Sequence, residues 1–410
     1  METRKPALLT PLLRQFLFAM ILANIASEMF YYLLPVYLSE LGASINQIGL
    51  FFSLASVVML VLQLIGGWIS DSIGRLRAVA VGSAVATLGY FGMVLAQNWP
   101  QALAAVCLEY VSGALVAPSF GAFIAEQSSE ETRGRVFGIM QSIFMIVTVI
   151  GPPLGGLLSY RFGFRPMLLL AAVIYTCASL LRVVMARSTP TIHNGEEHLS
   201  LKQFGKHLSG MIAMIAAGGI LAWILITDGV KDIAGRLSEN LQPLYLKEIG
   251  GLNVEQIGWL GSVFGIATMV ATLISGWIAD RYGERVSIVG GFLLQFTGIL
   301  VYLNSHSLPV FAASVLLFGL GVGLMQPAYG ALVSKVVPER MRGIAFGLFQ
   351  SSIGVISLPA PWLGAQLWSR FNPQFPFALT AGALLVSIIP AWLKFKLPKV
   401  IKPALDETSQ

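Results

Sequence analysis

The stretch Gly67-Trp68-Ile69-Ser70-Asp71-Ser72-Ile73-Gly74-Arg75-Leu76-Arg77 returns 209 positions later as Gly276-Trp277-Ile278-Ala279-Asp280-Arg281-Tyr282-Gly283-Glu284-Arg285. The correspondence extends to both sides. Gln47, Ile48 and Gly49 match Gln256, Ile257 and Gly258, and Pro118, Gly121, Arg133, Gly134, Phe137, Gly138, Gln141 and Ser142 all recur at the same offset. Near the front of each half, Pro35, Tyr37, Glu40 and Gly42 match Pro243, Tyr245, Glu248 and Gly250, with the offset one residue shorter. A chain that repeats itself at this distance is built from two related halves. Each copy ends a long apolar run with a Gly, an Asp and a Gly-charged turn, as a membrane helix does when it meets water and reverses.

Composition supports a bilayer setting. The 410-residue chain is 56% apolar and 11% charged, against about half apolar and about a quarter charged in soluble domains. Cys107 and Cys177 both fall within apolar runs and read as small buried hydrophobes, so neither a disulfide framework nor a metal cluster is expected. The net charge of +6 is spread over loops rather than gathered into a patch, which argues against nucleic acid. No cofactor is expected, and no nucleophile, base and metal constellation lies at one depth, so an enzyme is disfavoured. The first apolar run follows a short basic leader without a small-residue cleavage site and reads as a retained helix.

A helix needs about 20 mostly apolar residues to cross a bilayer core. Runs of that length lie near 16–38, 47–70, 78–97, 102–125, 135–158 and 166–186, and again near 215–246, 255–279, 286–304, 309–333, 344–367 and 375–395. The sequence therefore predicts an all-α membrane protein with twelve transmembrane helices in two pseudo-symmetric six-helix bundles. The bundles cover residues 1–186 and 213–410, joined by a polar linker over 187–212 whose end, Leu199 to Leu208, has the makings of a short surface helix. His193, His198 and His207 in the linker lack firm ligand spacing and read as solvated. Arg161, Arg165, Lys247 and Arg370 fall on one face, Lys231 and Arg236 lie within a span, and the remaining Lys and Arg gather on the face of the termini. The positive-inside rule places both termini in the cytoplasm of a cell-membrane protein.

The doubled loop, with Gly67, Asp71, Gly74, Arg75 and Arg77, resembles the signature loop between helices 2 and 3 of the major facilitator superfamily of secondary transporters. That resemblance implies that Asp71 packs against the start of helix 11 and latches the halves on the inner side, with Arg75 and Glu126 as partners in a charge relay and Asp280 as the second copy of Asp71. In that second copy Glu284 replaces Arg75 and Lys335 replaces Glu126, so the loop is expected to keep the fold without repeating the relay. Gly151, Pro152, Gly155 and Gly156 resemble the family's antiporter motif in helix 5, although Val147 stands where an upstream Gly is typical. The second half keeps only Ala360-Pro361 and Gly364-Ala365 in register. The family's drug antiporters usually carry an Arg four residues before the Gly that here is Gly113; this chain has Glu109 instead.

Several charges lie deep in the apolar layer, where each costs about 2.5–3.5 kcal/mol on insertion scales unless it pairs or meets water. Glu28 is in the first run, and Asp228, Asp232, Arg236 and Glu239 are spaced in the seventh to share one helix face. Asp228, Lys231 and Asp232 could instead form a static salt-bridge cluster. Glu28 and Arg236 hold equivalent places in the two repeats, and Glu28 or Glu109 would load a proton in one state and release it in the other. The expected protein is a monomeric secondary transporter working by alternating access, exporting amphipathic or drug-like small molecules against protons. The alternatives are carriage of an organic anion, sugar or lysolipid-like amphiphile, with Arg236 on an anionic head group, and, more remotely, a non-transporting membrane sensor.

Overall fold

The computed structural model describes residues 9–188, 219–336 and 355–396, apart from the side chains at positions 64, 65, 67, 68, 70, 71 and 122. The first half runs α1 (Pro11–Tyr31), a short α2 (Leu34–Glu40), α3 (Ile45–Ile73), α4 (Arg75–Leu95), α5 (Trp99–Gln127), α6 (Glu130–Phe162) and α7 (Phe164–Ser188). The second runs α8 (Gly219–Ser238), a 3-10 turn (Glu239–Leu241), α9 (Gln242–Glu248), α10 (Val254–Tyr282), α11 (Glu284–Leu303), α12 (Leu308–Val336), α13 (Ala360–Arg370) and α14 (Phe375–Lys394). No strand occurs among the described residues.

Ten of these helices are long and apolar enough to cross a membrane. The other two of the twelve expected runs are the seventh, α8, which carries Asp228, Lys231, Asp232 and Arg236, and the eleventh, of which positions up to 354 lie outside the described residues and α13 is the end. The surface helix expected over 199–208 also lies outside the described residues, as do the three linker histidines.

The first run of each half is broken, which corrects the single spans expected at 16–38 and 215–246. α1 gives way to α2 at Tyr32 and Leu33, and α8 gives way to α9 through the 3-10 turn. Pro35 and Pro243 occupy the first turn of α2 and α9. That is where a residue without an N–H, with φ fixed near the helical value, is tolerated. The turns entering α4 and α11 are also equivalent, with Gly74 at φ 89° and Gly283 at φ 88°, a backbone region that glycine alone enters without strain.

Within the first half α4 packs on α5 and α7, α1 on α6 and α7, and α3 on α5. Within the second, α11 packs on α12 and α14, α10 on α12, and α8 on α13 and α14. Among the described residues the halves meet along two seams, α6 against α10 and α3 against α13, which the repeat makes copies of one another, and α2 also meets α9. The hydrogen bonds between the halves, among the described residues, lie toward the end of the molecule that carries α2 and α9. They are Lys247 Nζ to Glu40 Oε1 (3.3 Å), Ser369 Oγ to Asn46 Oδ1 (3.0 Å), Trp362 N to Ser53 Oγ (3.1 Å) and Ser262 Oγ to the Val149 carbonyl (2.5 Å).

Aromatic packing fills each half near the same end, with Tyr90 stacked on Tyr175 at 4.4 Å and Tyr245 tilted on Tyr302 at 5.0 Å. The opposite faces of the helices leave large side chains such as Leu88, Leu180, Leu273 and Leu393 exposed. An apolar belt of that extent needs lipid around it. Cys177 belongs to that exposed surface, a correction to its reading as a buried hydrophobe, whereas Cys107 is partly buried.

Candidate functional site: charged groups between two glycine seams

The segment from Gly151 to Gly156 faces two neighbours at once. A Cβ on Gly151 would collide with the Glu28 side chain, and one on Gly155 with the Met29 carbonyl oxygen, so these two glycines hold α6 against α1. A Cβ on Gly156 would lie 2.8 Å from the Val254 carbonyl oxygen and 3.1 Å from Gly258 Cα, and one on Gly261 would lie 2.8 Å from Pro152 Cβ. Gly156 and Pro152 therefore hold α6 against α10 of the other half. The second copy repeats the arrangement: Gly364 abuts the Leu237 carbonyl oxygen of α8, and a Cβ on Gly49 would lie 2.7 Å from the Pro361 carbonyl oxygen. Backbones approach this closely only where the residues are small. The segment that sequence reasoning ties to packing thus fixes the depth of Glu28 and joins the halves.

Glu28 is half-buried on α1. Glu109 packs on α4, where a Cβ on Gly89 would lie 2.8 Å from its Cγ, and its Oε1 is buried without a hydrogen-bond partner. Such an atom is costly unless the carboxyl is protonated or a partner arrives in another state. Beside it the hydroxyls of Tyr31 and Tyr110 lie 2.9 Å apart. Glu109 is within electrostatic reach of Tyr31, Tyr90 and Tyr110, and Tyr31 is also within reach of Glu239 and Arg236 from the other half.

On α8 the charges divide into two pairs, Lys231 Nζ with Asp228 Oδ1 at 2.7 Å and Arg236 Nε with Asp232 Oδ2 at 3.0 Å. Of the alternative cluster over Asp228, Lys231 and Asp232, the Asp228–Lys231 pair forms, while Asp232 pairs with Arg236. Glu239, expected on the same helix face, lies instead in the 3-10 turn beyond α8, because the helix breaks ahead of Pro243; it remains within electrostatic reach of Arg236 and Asp232. Asp228 is buried, whereas Asp232, Arg236 and Glu239 keep some exposed surface. Arg236 is held by Asp232 on its own helix, and no contact joins it to Glu28 among the described residues.

At the other end of the helices, Arg75 in the first turn of α4 lies 3.8 Å from Glu126 in the last turn of α5. The equivalent Glu284, buried at the start of α11, accepts from Lys335 at the end of α12. The expectation that the second loop drops the relay is corrected in this respect: the contact recurs with its signs exchanged, since a pair attracts whichever helix carries the cation. Gly67 and Asp71 stand in the last part of α3, and the Asp71 side chain lies outside the described residues. Asp280 and Arg77 are exposed.

Sequence reasoning missed Arg182, which it grouped with the charges of the terminal face. The side chain is only 2% exposed, donating from Nη1 to Ser83 Oγ (2.7 Å) and from Nη2 to Met20 Sδ (2.8 Å), 6.0 Å above the Tyr175 ring. The available signal was Tyr175 two turns earlier on the same face of α7. No carboxylate forms an ion pair with it among the described residues.

The family model of the Major Facilitator Superfamily matches residues 16–231 and 233–409. A multi-drug resistance efflux pump PmrA homolog of Lactococcus lactis is 26% identical over 373 residues, covering 88% of this chain and 89% of the relative. Multidrug resistance protein MdtG of Citrobacter koseri is 25% identical over 373 residues, with 88% of each chain covered. Among solved structures, a bacterial homologue of the iron transporter ferroportin in its inward-facing state superposes with a TM-score of 0.73 at 15% identity, over 94% of this chain and 98% of that one. The nucleoside transporter NupG gives 0.76 at 13% identity, over 94% and 100%. Two repeat-related bundles, two glycine seams and a family match along nearly the whole length lead to one conclusion: the chain belongs to the Major Facilitator Superfamily, as a multi-pass membrane transporter rather than an enzyme.

Proposed function

We propose that this transporter exports amphipathic or drug-like compounds in exchange for protons, as a monomer in the cell membrane with both termini cytoplasmic. The observation that carries the reading is that carboxylates of both halves lie within electrostatic reach of Tyr31, whose hydroxyl is 2.9 Å from that of Tyr110. Glu109 comes from one half and Glu239, with the Asp232-bound Arg236, from the other. Acid exceeds base there, which favours cations and exchangeable protons over anions. The named multidrug efflux function of the Lactococcus lactis and Citrobacter koseri relatives points the same way. An organic-anion substrate held by Arg236 is less favoured because Asp232 already neutralises that guanidinium. Asp71, Arg75 and Glu126 serve in this reading as the inner gate.

Glu28 is the carboxylate proposed to couple the proton. It sits on α1 where Gly151 fixes its depth, and it has no ion-pair partner among the described residues. In liposomes with an imposed proton gradient, Glu28→Gln should abolish concentrative drug transport while downhill exchange continues. Wild-type accumulation by this variant would remove Glu28 from the coupling role and leave Glu109→Gln as the next variant to measure.

A further inference from the structure

A groove of about 930 Å³ lies outside the central site, on the flank of the first half. It runs between the end of α3, the start of α4 and the end of α7, lined by Ile73, Val81, Val183 and Ala186, with Arg77 and Arg187 at its rim. The two arginines come together because α4 and α7 pack against each other and run in opposite directions, so the first turn of one meets the last turn of the other. Both are exposed, and neither forms an ion pair among the described residues, in contrast to Arg75, which faces Glu126.

The groove opens onto a face whose large side chains are apolar and exposed. Val81 and Leu88 on α4 are 50% and 65% exposed, and Leu180 and Val184 on α7 are 60% and 63% exposed. That is the surface a bilayer covers. At its terminal end the apolar band stops at the two guanidiniums, in the first turn of α4 and the last turn of α7, as apolar helices do where they reach the headgroup layer. Guanidinium groups bind phosphate through paired N–H donors, whereas the apolar wall below them offers only dispersion contact to a hydrocarbon chain.

We propose that this groove is a binding site for one anionic phospholipid, its phosphate on Arg77 and Arg187 and one acyl chain along Val81 and Val183. An interfacial arginine contributes enough attraction to an anionic headgroup to change affinity about fivefold. The site is independent of the transport reading above, because it faces the membrane and not the cleft between the halves.

The test uses full-length protein in a neutral detergent, with phosphatidylglycerol, phosphatidylcholine or inorganic phosphate added. Retained lipid is read by native mass spectrometry and stabilisation by thermal melting. Wild-type protein should retain phosphatidylglycerol in preference to phosphatidylcholine and melt higher with it, and inorganic phosphate at the same concentration should do neither. Arg187→Gln should weaken the preference about fivefold, the double variant Arg77→Gln with Arg187→Gln should remove it, and Arg187→Lys should keep most of it. Equal retention of the two lipids by wild-type protein would overturn the site, as would an undiminished preference in the double variant. Protection by inorganic phosphate equal to that by phosphatidylglycerol would also overturn it, by showing a free-anion site.

Discussion

At the scale of single residues, the informative groups are charges whose surroundings differ from what their sequence neighbourhood suggests. Arg182 lies in the core of the first half with a hydroxyl and a thioether as acceptors, a poor exchange for water. A buried cation with no carboxylate partner is poorly repaid for its lost hydration, so exchanging it for an apolar side chain of similar length removes a cost rather than a stabilising contact. Arg182→Met should therefore melt no lower than wild type in detergent. Substrate-dependent transport measured on the same variant separates the two roles: if Arg182 is retained for its charge, activity falls although the fold is intact. A drop in melting temperature of many degrees would show instead that the guanidinium anchors α1, α4 and α7 together. Glu109 presents the complementary case, a carboxyl oxygen with no donor, beside hydroxyls that another conformation could bring to it.

At the scale of helices, the seams decide what can be substituted. Gly155 and Gly364 are equivalent, each pressed on the carbonyl oxygen of a residue in the broken first helix of its half. A side chain there must move a backbone and not a flexible tip. Overpacking of this kind costs about 1–3 kcal/mol, so Gly155→Leu and Gly364→Leu should each lower the melting temperature and transport rate, and by similar amounts. At Gly113, a helical glycine of α5 with nothing within 4 Å of its Cβ position, Ala should be tolerated within about 0.5 kcal/mol, as at sites away from packed features. Equal melting of Gly155→Leu and wild type would remove the packing argument for the whole segment.

At the scale of the molecule, alternating access requires that contacts at one end be made while those at the other are released. The seam contacts described above lie toward the end carrying Glu40 and Lys247. The exposed ion pair between those two residues contributes little, on the order of 0–1 kcal/mol. The close approach of Gly156 to Gly258 is the stronger candidate for holding that end shut. Gly258→Leu should open it and raise the reactivity of cysteines placed in the cleft toward reagents applied from that side. Asp71→Asn, if the inner gate works as proposed, should raise reactivity from the opposite side. Parallel changes in both variants would mean that the two ends are not coupled through a rocking motion.

The duplication was legible from the sequence because each half must satisfy the same physics: an apolar run long enough for a bilayer, a polar turn, and a glycine where the chain reverses with positive φ, as at Gly74 and Gly283. The all-α class, the number of apolar runs and the family resemblance follow from those local requirements, and the pairing of Arg75 with Glu126 followed from the resemblance. What only the tertiary structure decided is which residues of distant runs meet. Periodicity places Asp228, Asp232, Arg236 and Glu239 on one face, but the helix break before Pro243 sends Glu239 into a turn, and charge neutralisation splits the others into local pairs. It also buried Arg182 against α1 and α4, and packed one glycine segment between Glu28 and the opposite half. Packing of this kind depends on backbone distances of a few ångströms between segments about a hundred residues apart, and helical periodicity carries no information about those distances.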